Sequence, residues 1–152
     1  MKRIRIVMTL GLLGLVVGCD ALLGLLSPTT VTLTLVNQSP TFHVDGTLVT
    51  AEDELPTALL DQLGTDVDFD LNPGGVSRLT RDCDQVKSLR LKDADLRVIT
   101  GISPDTSTEV LVLGDDFDCG DEIVFTFSHT AAIVDFDVAV TTLRGPFPSG
   151  NP

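Results

Sequence analysis

From residue 31 onward, apolar residues alternate with polar ones along the chain. Residues 31–36 (VTLTLV) set Val31, Leu33 and Leu35 against Thr32 and Thr34, and residues 42–49 set Phe42, Val44, Gly46 and Leu48 against His43, Asp45, Thr47 and Val49. A period of two is the mark of a strand with one buried face. Residues 66–71 (DVDFDL) show it most cleanly, with Asp66, Asp68 and Asp70 on one face. Further strands are predicted over residues 76–81, 86–92, 96–100 and 109–113. Two apolar strands close the domain: Ile123, Phe125 and Phe127 line one, and Val134, Phe136, Val138 and Val140 line the other. Residues 129–132 join this pair as a hairpin expected to be central and hydrophobic.

The breaks between these runs carry turn chemistry. Asn37-Gln38-Ser39-Pro40 is a turn, and Asn72-Pro73-Gly74-Gly75 places Pro and Gly where a type II turn needs them. Residues 55–63 (LPTALLDQL) alone read as helical, with Pro56 near the start, Leu59, Leu60 and Leu63 following, and Gly64 as the stop. This short helix is expected to plug one end of the core. Seven to nine short strands at this spacing predict an all-β fold: a single small β-sandwich, immunoglobulin-like or jelly-roll.

The first twenty residues are written differently. Lys2, Arg3 and Arg5 precede an uncharged apolar run from Ile6 to Gly18, the layout of a secretory signal. Val16-Val17-Gly18-Cys19 resembles the lipobox of bacterial membrane lipoproteins, with an aliphatic residue three before the cut, Gly just before it and Cys just after. The resemblance covers residues 1–20 and implies removal of the signal, a diacylglyceryl group on the Cys19 sulfur and acylation of the new amino terminus, typically with palmitate. The domain beyond matches no named family by its motifs. A transmembrane helix is the alternative, but Asp20 interrupts the apolar run, and an Asp at mid-span costs about 2.5–3.5 kcal/mol. The chain therefore divides into a signal peptide (1–18), the lipidated Cys19 with a tether (19–30), the β-sandwich (31–144) and a flexible tail (145–152). The expected location is the bacterial cell envelope, lipid-anchored, with the domain outside the cytoplasm.

Charge narrows the partners. Loss of the signal leaves seven basic against 22 acidic side chains, a net charge of about −15. This argues against nucleic acid and against electrostatic capture by anionic lipid. The absence of Trp and Tyr removes most aromatic stacking platforms. With Cys19 spent on lipid, Cys83 and Cys119 remain as an even pair in an oxidising compartment, and a disulfide is predicted between them.

Three chemistries are open to these residues. Asp82 and Asp84 flank Cys83, while Asp115, Asp116, Asp118 and Asp121 crowd the loop around Cys119, so the disulfide would draw hard oxygen ligands together for Ca²⁺. The spacing fails the EF-hand loop, because Gly120 falls where a ligand is required. Two rows of carboxylates, Asp66/Asp68/Asp70 and Asp135/Asp137, need water or cations opposite them; six of the seven mature cations (Arg78, Arg81, Lys87, Arg90, Lys92 and Arg97) lie within one short stretch that can supply them. That basic stripe is, as a secondary reading, a docking face for an acidic partner. His43 and His129 are the only imidazoles, and no nucleophile elbow or zinc motif accompanies them. The sequence thus reads as a non-catalytic envelope lipoprotein, without cofactor or catalytic residue, acting as an interaction or structural module toward an envelope protein. The alternative is a calcium-dependent binding module using Asp82, Asp84, Asp115, Asp116 and Asp118, and a carboxylate-based hydrolase stands third.

Overall fold

The computed structural model describes residues 28–98, 104–130 and 135–146. The signal segment, Cys19, the tether up to residue 27, Val134 and the tail past Pro146 lie outside the described residues. Among the described residues no helix is long and apolar enough to cross a membrane. In chain order the elements are β1 (Thr30–Asn37), β2 (His43–Ala51), α1 (Thr57–Leu63), β3 (Thr65–Leu71), β4 (Val76–Asp82), β5 (Ser88–Arg97), β6 (Asp105–Thr106), β7 (Leu111–Val112), β8 (Glu122–Ser128) and β9 (Asp137–Leu143). A 3-10 turn, Cys83–Gln85, follows β4.

The strands form two sheets, one ordered β4-β1-β8-β9 and the other β3-β2-β5, whose outer edge β6 and β7 share along β5. Pairing is antiparallel except between β1 and β8. Inward residues of the first sheet (Val31, Leu33, Leu35, Ile123, Phe125 and Phe127) meet Val44, Leu48, Leu71, Leu89, Leu91 and Leu96 of the second. Each such burial contributes about 1.5–3 kcal/mol, so this interior dominates the stabilising side of the balance. The all-β sandwich expected from the alternation is present.

Three local expectations change. The hairpin of β8 and β9 is not central, because β9 is an edge strand; only Phe136, just ahead of it, is buried, while Val138 and Val140 are half-covered. Helix α1 does not plug an end of the core. It lies against β2 and β5, with Gly64 pressed on Val49, and of its three leucines only Leu60 is buried. The strands predicted over 86–92 and 96–100 are largely one strand, β5, interrupted by a bulge: Thr47 pairs with Asp93 and Leu48 with Leu91, leaving Lys92 as the extra residue.

The sandwich has two distinct ends. At one, Asn37 closes β1 against the start of β2 and the end of β3. The type II turn at residues 72–75 is there too, with Gly74 at φ 67° and Gly75 N–H donating to the Asn72 carbonyl at 2.8 Å. At the other end the Cys83–Cys119 disulfide joins the loop after β4 to the loop before β8, with Cα atoms 6.0 Å apart. Because β1 lies between β4 and β8, the bridge spans the point where the chain enters the fold. Cys83 N–H donates to the Thr29 carbonyl (2.8 Å) and Gly120 N–H to the Thr30 carbonyl (2.7 Å). Gly120, at φ 94°, also admits the ring of Pro28, which a Cβ would strike.

Candidate functional site

Alternation and register together build a charged surface on the outer face of the second sheet. Val67, Phe69 and Leu71 turn inward along β3, which leaves Asp66, Asp68 and Asp70 exposed. Asp45 stands opposite Asp70 on one side and opposite Asp95 on the other, and Asp95 stands opposite Asp105. Four aspartates therefore lie in a single row across four adjacent strands, β3-β2-β5-β6. A second row begins one step along, with Asp68, Thr47 and Asp93 in register.

Directly opposed like charges destabilise a sheet, and the row carries partial compensation. Arg97 reaches Asp45 from two nitrogens, at 2.6 and 3.0 Å, and Asp70 at 3.7 Å. The hydrogen bond to Asp45 and the charges of Asp45 and Asp70 hold the Arg97 guanidinium above its usual pKa. Lys92 Nζ lies 3.2 Å from Asp66, His43 Nδ1 3.5 Å from Asp70, and Thr47 donates to Asp68 at 3.0 Å. Among the described residues Asp95 has no such cation: partial burial, then the charges of Asp45, Asp93 and Asp105, push its carboxyl above the ordinary value. The surface holds seven carboxylates (Asp45, Asp66, Asp68, Asp70, Asp93, Asp95 and Asp105) against Lys92 and Arg97. Between the rows runs an open groove of about 410 Å³ bounded by Asp45, Asp68, Asp70, Asp93 and Arg97. It presents acceptor oxygens to a cation.

Sequence reasoning found one edge of this surface, Asp66/Asp68/Asp70, and missed Asp45, Asp93, Asp95 and Asp105. The spacing Asp93-Ala94-Asp95 was a legible signal, but pairing register was not. The expected basic stripe does not form one face. Arg78 pairs with Glu122 on the other sheet (3.3 Å), and Arg90 is buried beneath α1 against Asp61 (3.4 Å), while Lys92 and Arg97 serve the acidic rows. Asp135 precedes β9 and accepts from Thr130; hydrogen bonds from the Thr130 side chain and backbone hold it below the usual carboxylate range. Asp137 begins β9 and accepts from Val138 N–H.

The disulfide brings the two cysteine loops together as expected, yet their carboxylates are directed elsewhere. Asp116 caps Val112 N–H (2.8 Å), and Asp118 pairs with Arg144 (2.9 Å). Asp121, 4% exposed, pairs with Arg144 and accepts from Asp118 N–H and Gly145 N–H. Asp82, Asp84 and Asp115 are exposed. Among the described residues no three His, Cys, Asp or Glu side chains are grouped to hold a metal ion.

His129 is held at both of its ring nitrogens. Its Nδ1 faces the Thr130 carbonyl at 2.8 Å and its Nε2 faces Ser39 Oγ at 2.9 Å. A carbonyl only accepts, so the neutral ring carries its proton on Nδ1 and accepts the Ser39 hydroxyl at Nε2. Ser39 is 2% exposed and its oxygen also accepts from Phe42 N–H. The hydroxyl thus ties two loops together from a position closed to a substrate.

No family model matches this chain, and no curated protein matches it. It is similar to a solved structure described as the NMR structure of the protein from Eubacterium rectale, at 18% identity, covering 79% of this chain and 94% of that one, with a TM-score of 0.36.

Proposed function

We propose that this chain is a bacterial envelope lipoprotein, anchored through lipid on Cys19, whose β-sandwich is a non-catalytic interaction module for a cationic envelope partner. The observation that carries the contact surface is the row Asp70-Asp45-Asp95-Asp105, held in register across four strands. Such a row opposes folding, and departures from the rules of stable design collect where a protein makes its contacts. The reading of the anchor rests on Val16-Val17-Gly18-Cys19.

Two experiments test the two halves. In a bacterial host, the protein is expected in the membrane fraction and its Cys19→Ser variant in the soluble one; unchanged fractionation overturns the anchor. On a polylysine surface, the protein is expected to be retained at low salt and released as salt rises. The Asp45→Asn/Asp95→Asn variant is expected to lose most of that retention. Retention equal to the parent would remove the row from the contact.

A further inference from the structure

The acidic row ends on an open edge. Strand β3 pairs with β2 on one side, and among the described residues nothing pairs with its other side. An unpaired edge offers main-chain donors and acceptors to any extended chain, and proteins guard such edges with charge. Here all three outward side chains, Asp66, Asp68 and Asp70, have one sign. A second copy approaching through the same edge would set Asp against Asp. A chain with cations at the same spacing would meet no such barrier.

We infer that the partner adds to β3 as an extra strand, with Lys or Arg at every second position. This inference rests on the cationic-partner reading and specifies it. Three registers lead to the edge: Asp105-Asp95-Asp45-Asp70, Asp93-Thr47-Asp68 and Arg90-Val49-Asp66. A residue of the added strand stands directly opposite Asp70, the next but one opposite Asp68, and the next but one again opposite Asp66. Each cation there sits at cross-strand distance from a carboxylate, and the first continues a row that has an excess of negative charge. The intervening residues of the partner point to the inner face beside Val67 and Phe69. These are only partly buried at this edge, so apolar or β-branched side chains fit there. Strand addition takes affinity from main-chain hydrogen bonds and specificity from alternate side chains, which is what this edge offers. Selection against self-pairing and for a basic strand then comes from the same three residues.

The test uses the full-length protein in detergent and two peptides of about eight residues with one composition. One alternates Lys with Val and Thr; the other groups its Lys at one end. The alternating peptide is expected to bind at least about tenfold tighter and to slow amide exchange across residues 65–71. The Asp66→Asn/Asp68→Asn/Asp70→Asn variant is expected to lose both effects. Equal binding of the two peptides with no slowing at β3 overturns strand addition but leaves a cationic partner on the face. Binding of neither peptide overturns the inference together with the reading beneath it.

Discussion

Asn37 serves four main-chain groups at once. Its amide nitrogen donates toward the carbonyls of Phe42 (2.9 Å), Asn72 (3.0 Å) and Leu71 (3.3 Å), and its oxygen accepts Ser39 N–H (2.9 Å). It is 1% exposed, so no water replaces it when it is cut back. Removing the side chain strands the two buried groups among these, the Leu71 carbonyl and Ser39 N–H, each at about 1–3 kcal/mol, and Asn37→Ala is expected to cost about 2–4 kcal/mol in urea unfolding. The exposed neighbour Gln38→Ala should change stability by less than about 0.5 kcal/mol, and equal losses would refute a special role for Asn37. In the sequence Asn37 reads only as a turn residue, since nothing local says that three separate segments converge on it. Asp95 gives a second test, with a sign. Its folded pKa is raised above the ordinary value of 3.8, so ionisation opposes folding. The associated stability is complete below the unfolded pKa and is lost as pH rises through the folded one. Asp95→Asn should therefore raise Tm at neutral pH, with the gain disappearing in acid below the carboxylate range. A gain that persists in acid would mean that charge in the row is not its source.

At the scale of elements, alternation located the strands well, and it failed where a second layer or a bulge altered the pattern. Val49 belongs to the polar face of β2 by period, yet it is fully buried because α1 covers that part of the outer surface. The loss of period at Lys92-Asp93 reads as a strand boundary but is a bulge that keeps Asp93 and Asp95 facing outward beside Thr47 and Asp45. The apolar face of β9 suggested a central strand; an edge strand still turns one face to the core, and sequence does not say what lies beyond it. Strand order and register, which make the acidic row, depend on pairings between distant segments. They are the part of the site that sequence could not supply. Helix α1 shows the same limit, since its three leucines look alike by spacing. Leu60 is fully buried and Leu63 is 71% exposed. Leu60→Ala is expected to cost about 2–4 kcal/mol, whereas Leu63→Ala should fall within about 0.5 kcal/mol. Comparable losses in chemical denaturation would place both leucines against the sheet.

At the scale of the molecule, the two ends of the sandwich are closed differently, one by Asn37 and the other by the Cys83–Cys119 disulfide. The acidic loops beside the disulfide are partly neutralised from within, because Arg144 lies 2.9 Å from both Asp118 and Asp121. Millimolar calcium is therefore expected to leave Tm where EDTA leaves it; a rise of roughly 5–15 °C would instead mark a site of about 10 μM affinity. The bridge has a further consequence through its position. It links the strands on both sides of β1, and the loops it fixes hold Thr29 and Thr30 by their carbonyls. In the chain-entropy view a loop with its ends 36 residues apart stabilises by about 4 kcal/mol. Its loss in the Cys83→Ala/Cys119→Ala variant should appear as that fall in unfolding free energy. The loss should also be local. Amide exchange is expected to quicken most at Thr32, Cys83 and Gly120, whose N–H groups bond across this end, and least at Asn37 and Gly75 at the far end. Uniform quickening would make the bridge a general staple. The graded result would make it a clamp on the segment that leads into β1.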